Sequence, residues 1–160
     1  MALTRVSADD VEALQAFLHE ADLTVAGLDA PTVRLWVERG EDGAIVGSTG
    51  FELSADHRHA LIRSVAVAPP LRRAGAGVRL ARYALAQAHA AGADRAWLFS
   101  RRSGPFWQQL GFTPADRDEL ASVLPLAHQV RLFTVSGQLE REVAWSRALD
   151  GVRGQPDRRG

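Results

Sequence analysis

Residues Val65 to Ala86 read VAVAPPLRRAGAGVRLARYALA. A strand-like apolar run meets two prolines and two arginines, then glycines at 75 and 77, then a helical pattern. The strand, from about His59 to Ala68, must stop at Pro69 and Pro70, which carry no amide hydrogen for a ladder. Past the glycines, Leu80, Ala81, Ala84, Leu85 and Ala88 share one stripe. Arg79, Arg82, Ala86 and His89 share the other side, so the helix is half-buried, and Gly92 is its stop signal. Gly75 and Gly77 permit positive φ and leave no Cβ in the way. Successive amides can therefore converge at the helix start, where the dipole favours negative charge. Arg72 and Arg73 add positive charge. The natural ligand of such a turn is a pyrophosphate.

Working outward, the pattern alternates between strands and helices. Leu3 to Val6 reads as a short strand, and Ser7 with Asp10 can cap a helix carrying Val11, Leu14, Phe17 and Leu18 at helical spacing. From Asp22 to Pro31 the pattern breaks, and a second short helical or irregular segment is expected. Val33 to Glu38 and Ala44 to Leu53 read as a hairpin joined through Arg39-Gly40-Glu41-Asp42-Gly43. Arg95 to Ser100 is another strand, Phe106 to Leu110 a short helix ended by Gly111, and Phe112-Thr113 the start of an extended piece. Asp116 to Leu126 is read as helical and Val143 to Leu149 as a last strand. The class is mixed α and β (α+β) around one central sheet. Residues 1–150 form one expected domain, and the polar, glycine-rich stretch 151–160 is expected to be disordered.

Composition narrows the function. The 160 residues suit one domain, and nineteen basic residues balance nineteen acidic ones. With no net charge there is no general pull on nucleic acid or an anionic membrane, so an anion site must be local. Every basic residue is arginine, and there is no cysteine. That excludes disulfides, thiolate metal sites and a cysteine nucleophile. No apolar run approaches the ~20 residues of a membrane span, and MALTRVSADD lacks the order of a secretory signal. A cytoplasmic location with no metal is the expectation.

Three anion-binding patterns compete for the glycine turn. A Walker A loop needs GxxxxGK(S/T), and both spacing and lysine are missing. A dinucleotide fingerprint needs GxGxxG, but the segment from Gly75 ends in Leu80, and Asp94 lies before its strand rather than after it. The third is (R/Q)xxGx(G/A), met as Arg72, Gly75 and Gly77. VAVAPPLRRAGAG followed by a helix resembles the acetyl-CoA-binding motif of the Gcn5-related N-acetyltransferase (GNAT) superfamily. FWQQLGF, Phe106 to Phe112, is similar to that family's FYxxLGF segment. The resemblance runs from about Leu3 to Leu149 and is most specific over Ile62 to Phe112.

The resemblance implies a three-layer fold with a mostly antiparallel sheet splayed into a V and flanked by helices. Acetyl-CoA would lie in the V between the strands ending at Ala68 and Ser100. Main-chain groups of Val65, Ala66 and Val67 would meet the pantetheine, and amides of Arg72, Arg73, Ala74, Gly75, Ala76 and Gly77 the pyrophosphate. Ser103 and Phe106 would complete the coenzyme contacts. Without a cysteine, a substrate amine would attack the thioester directly, with a main-chain N–H near Val65 steadying the oxyanion. An α-amine needs only modest help in losing its proton. Glu52 is the first candidate for the base, with His57 and His59 weaker ones. Many family members carry a tyrosine acid where this chain has Trp107, and Tyr83, mid-helix, is expected to pack.

Arg63 interrupts an apolar strand in LIRSVAV and can clamp a carboxylate bidentately. If Leu53 pairs with His59, Thr49 faces Arg63 and Glu52 is not its direct partner. Arg101 and Arg102 follow the strand at the other arm of the V. LIRSVAVAP, the GFE before it and SRRSGPFWQQLGF look like the arsinothricin-resistance type of N-acetyltransferase. Its members acetylate the α-amine of a glutamate-like amino acid, with the residues matching Arg63 and Ser64 near the substrate. The expected partner is a small-molecule amine, and family members often form a homodimer. A non-catalytic acyl-CoA sensor and a protein N-acetyltransferase are the alternatives.

Overall fold

A computed structural model of the chain describes residues 2–149; the stretch 151–160, including the expected disordered tail, lies outside the described residues. The alternation read along 33–38 sends its two sets of side chains to opposite faces. In β2 (Val33–Arg39), Val33, Leu35 and Val37 pack with Leu14 and Leu18 of α1 (Val11–Glu20), whereas Trp36 enters a second core on the other face. At the start of α1, the Ser7 amide donates to Asp10 Oδ2 at 2.8 Å, which is the expected capping contact.

Strand β2 pairs antiparallel with the short β1 (Thr4–Arg5) and with β3 (Ile45–Leu53), and β3 pairs antiparallel with β4 (His59–Val67). The helix α2 (Ala76–Ala90) then crosses over to β5 (Arg95–Phe99), which runs parallel to β4. After β5 come α3 (Gly104–Gln109), β6 (Thr113–Ala115), α4 (Arg117–Val123), α5 (His128–Ser136) and β7 (Ala144–Ala148). The sheet order is β1-β2-β3-β4-β5-β7-β6, antiparallel everywhere but at β4–β5.

Helices α2 and α3 cover one face, where Leu85, Trp107 and Trp145 meet Phe51, Ile62 and Leu98. Helices α1, α4 and α5 cover the other, where Leu61 and Trp97 meet Leu120, Leu124 and Val130. This is the expected three-layer α+β arrangement. Ala81, Ala84 and Ala88 are fully buried, and their small side chains let α2 lie close to the sheet. Tyr83 packs edge-on against Trp36 at 5.3 Å, away from the sheet split described below.

Of the two forms expected for residues 22–31 the irregular one is found, a series of turns in which Gly27 has φ +72°. Helix α5 was not legible: Leu132 and Val135 are exposed while Val130 and Phe133 are buried, so its apolar residues trace no single stripe. The hairpin register is off by one, because Leu53 pairs with Ala60 and Gly50, not Thr49, pairs with Arg63. A bulge causes the further shift: Ser64 and Val65 together oppose Thr49, and Ser64 sits at φ 61°. Glu52 and Arg63 consequently point to the same face as diagonal neighbours.

One ion pair anchors the N-terminal half of α2 to the sheet. Glu38 of β2 is buried, and Arg79 grips both its oxygens at 2.6 and 3.0 Å. Those hydrogen bonds raise the Arg79 pKa above the usual arginine range. Removing the guanidinium leaves a buried carboxylate alone. Arg79→Ala is expected to cost about 2 kcal/mol, less than for a wholly buried pair because Arg79 is half exposed. Urea unfolding midpoints measure this, and Arg79→Lys should recover part of it.

Candidate functional site

Strands β4 and β5 pair at only three positions, the last being Leu61 with Trp97. Beyond that point they diverge, and the 62–67 edge of β4 faces no strand. A cavity of about 580 Å³ fills the split. Leu61 faces α4 and α5 whereas Ile62 faces α2, so the split passes through the sheet. Gly77, Phe106 and Trp107 line it on the α2 side, and Glu20 to Leu23 with Gln129 line it on the other. Two reactants can thus approach one point from opposite faces.

The α2 side carries the glycine turn. Residues Pro69–Ala74 form a tight 3-10 turn, Gly75 takes φ +75°, and α2 starts at Ala76. That left-handed residue favours glycine. Arg72 folds back, its Nε donating to the Val67 carbonyl at 3.0 Å. A Cβ on Gly77 would sit 3.4 Å from the Phe106 ring, so the missing side chain keeps this end of the cavity open. Phe106, Trp107 and Phe112 stack edge to face in series, at 4.9 and 5.4 Å. Trp107 is thereby a wall of the cavity, and its indole offers no phenolic acid.

On the other face, Arg63 is buried, with its side chain 0% exposed. Its Nε donates to Ser64 Oγ at 3.2 Å, but neither terminal nitrogen has a hydrogen-bond partner among the described residues. The nearest anion is Glu52, 3.8 Å away, beyond hydrogen-bond reach. Burial pulls the Arg63 pKa down to about 10, partly offset by Glu52. A buried cation with two free donors bordering a cavity has the chemistry to pair with an oxyanion.

Of the coenzyme residues expected from the sequence, Val65, Ala66, Val67, Arg72, Gly77, Ser103 and Phe106 line the cavity, as do Arg63 and Ser64. Gly75 and Ala76 stand just outside it; the side chains of Arg73 and Ala74 lie outside the described residues. Glu52 does not line the cavity. Its Oε1 accepts the His128 amide at 2.9 Å, and its Oε2 takes His128 Nδ1 at 2.7 Å and Thr32 Oγ1 at 3.2 Å. His57 and His59 are at the paired end of the strands, where Trp97 Nε1 donates to His59 Nδ1 at 3.1 Å. Arg101 pairs with Glu142. Arg102 pairs with Asp22 at 3.0 Å across the rim of the cavity.

Sequence reasoning missed Glu20, Asp22 and Gln129, which also line the cavity. Gln129 belongs to the unread α5, and its amide donates to Thr24 Oγ1 at 2.6 Å, tying α5 to the loop after α1. No local signal marks residues brought together over such separations.

A split mostly antiparallel sheet, with a glycine turn on one face and a buried guanidinium on the other, is the arrangement of a group-transfer site of the acetyltransferase kind. The sequence model of the acetyltransferase (GNAT) family matches residues 5–112, and the chain belongs to that family. A search of curated proteins finds no match. Among solved structures, N-acetylglutamate synthase from Neisseria gonorrhoeae, complexed with coenzyme A and N-acetyl-glutamate, is 21% identical with a TM-score of 0.68. That match covers 93% of this chain and 35% of the synthase, so this chain spans about a third of that protein. A GNAT-family acetyltransferase from Staphylococcus aureus Mu50 is 15% identical, covers 93% of this chain and 100% of its own, and gives 0.65. An aminoglycoside 6′-N-acetyltransferase complexed with coenzyme A is 12% identical, with 93% and 97% covered and a TM-score of 0.67.

Proposed function

We propose that residues 1–150 form one N-acetyltransferase domain that moves acetyl from acetyl-CoA directly to the amine of a small, amino-acid-like substrate. The observation that carries this is the buried Arg63, whose terminal nitrogens border the sheet split and have no partner among the described residues. An α-carboxylate seated there would hold the α-amine inside the split, opposite the glycine turn. The likeness of LIRSVAVAP and SRRSGPFWQQLGF to the arsinothricin-resistance type supports a glutamate-like substrate.

The chain's own residues divide the work. The turn from Arg72 to Gly77 and the 65–67 edge of β4 hold the donor. Acetyl-CoA supplies the activated acyl group; thiolate is a tolerable leaving group, so Trp107 in place of a tyrosine does not block transfer. An α-amine, with a pKa near ~8, is partly unprotonated at neutral pH and can lose its remaining proton to water at the cavity mouth.

Thermal shift with acetyl-CoA tests the donor site, since a ligand at 100-fold excess over its Kd adds ~2.7 kcal/mol. Free-thiol release with a panel of L-amino acids tests transfer; no release with any amine would sink the enzyme reading in favour of a sensor. Gly77→Val tests the donor side separately. Its branched side chain should meet Phe106, abolish the acetyl-CoA shift and leave the melting point of the free protein within a few degrees.

A further inference from the structure

Arg63 and Glu52 are buried on one face with opposite charge, yet they do not touch. A guanidinium beside a carboxylate ordinarily closes to about 2.7–2.9 Å through two parallel bonds. Here the gap is 3.8 Å, and Nη1 and Nη2 donate to nothing among the described residues. Leaving buried donors unsatisfied is unfavourable, so something must hold the pair apart.

Both ends are tied elsewhere. Arg63 is held through Nε by Ser64, the left-handed residue of the β4 bulge. Glu52 is held by α5 and the loop before β2: its oxygens accept from the His128 amide, His128 Nδ1 and Thr32 Oγ1. A carboxylate only accepts, so His128 Nδ1 carries the proton. The ring has little room to leave. A Cβ built on Gly27 would fall 2.5 Å from His128 Cγ, so the imidazole lies flush against that glycine, whose φ is +72°. The contact uses a glycine twice, for its backbone angle and for its missing side chain.

We propose that His128 is a positioning residue for substrate recognition: by drawing Glu52 toward α5 it withholds that carboxylate from Arg63 and keeps the guanidinium free for the carboxylate of the substrate. Glu52 stays near enough to balance the buried charge and too far to satisfy its donors. This rests on the carboxylate reading of Arg63 given above. It adds that the selectivity is set by His128, which does not itself line the cavity.

Without the imidazole, Glu52 keeps only the His128 amide and Thr32 Oγ1, and its Oε2 can turn toward Arg63 and compete with the substrate. His128→Ala is therefore expected to raise KM for a carboxylated amine about tenfold, with kcat within twofold, and to leave the decarboxylated amine unaffected. His128→Asn, whose amide reaches where Nδ1 stood, should restore the lower KM. Thr32→Val loosens the same oxygen less and should give a smaller rise, which carries the test if His128→Ala fails to fold. Binding is read independently by thermal shift in the presence of coenzyme A, using the 20 L-amino acids and their decarboxylated amines. If no amino acid stabilises the wild type, or Arg63→Met binds as well, the carboxylate reading falls and this proposal with it. If Arg63→Met loses binding while His128→Ala and Thr32→Val keep wild-type KM and shift, this proposal alone falls. Equal losses on carboxylated and decarboxylated amines, or no rescue by His128→Asn, would reduce His128 to a structural role and overturn it.

Discussion

Arg63→Met is expected to lower kcat/KM for a carboxylated amine roughly 100-fold, or about 3 kcal/mol of transition-state stabilisation, while leaving the protein no less stable than the wild type. The functional loss follows from two charge-assisted hydrogen bonds, each worth ~1.5–3 kcal/mol. The stability expectation runs against the usual cost of core substitutions and has a specific cause. Burial holds the Arg63 pKa at about 10, well below the ordinary arginine range. With the folded value below the unfolded one, the unfolded chain binds the proton more tightly. The cost is therefore fully present below pH 10 and would ease only as pH rises through and beyond 10. At neutral pH it amounts to roughly 3 kcal/mol. Methionine keeps much of the stem's packing and removes that cost; Glu52 loses its counter-charge but keeps three hydrogen bonds where Arg63 has one, so the loss on the Glu52 side is the smaller. Initial rates on an amino acid and its decarboxylated amine, with urea melts of both proteins, test the two halves. Equal rate losses on both amines, or a stability drop of several kcal/mol, would contradict this account.

How much of this was legible in the chain depends on the range of the interactions. The turn from Arg72 to Gly77 was legible because its chemistry is local: prolines end a strand, Gly75 takes a positive φ, and an alanine-rich stripe starts the helix. Phe106 to Phe112 likewise carries its packing in its own spacing. The acceptor side was half legible. Arg63 stands out as a charge in an apolar strand, but its partners depend on a register that one residue of bulge alters. No pattern in the sequence announces a bulge whose left-handed residue is Ser64 rather than glycine. Glu52 looked like a strand-end carboxylate free for proton transfer. Its binding to His128, 76 positions on, could not be read without α5. The cavity wall inherits the same limit, because Gln129 arrives on that helix.

Glu52→Gln is expected to destabilise the protein by about 3 kcal/mol and to cost less than tenfold in kcat on the fraction that remains folded. Glutamine has nearly the same shape, so the effect isolates charge. Arg63 would stay buried with no anion near it, and breaking a buried pair from one side typically costs 3–5 kcal/mol. The lower end fits because the pair is already 3.8 Å apart. The amide must also present a donor where the carboxylate accepted from His128 and Thr32, which strains the tie between β3 and α5. A carboxylated ligand should then protect the variant more than it protects the wild type, since it would supply the only counter-charge to Arg63. A general base behaves in the opposite way. Its loss costs about 10²–10⁴ in rate with little change in melting. Unfolding midpoints and kcat measured on the same preparation separate the two: a variant that melts like the wild type but turns over a hundredfold more slowly would return Glu52 to the proton-transfer role and remove the structural account of its burial.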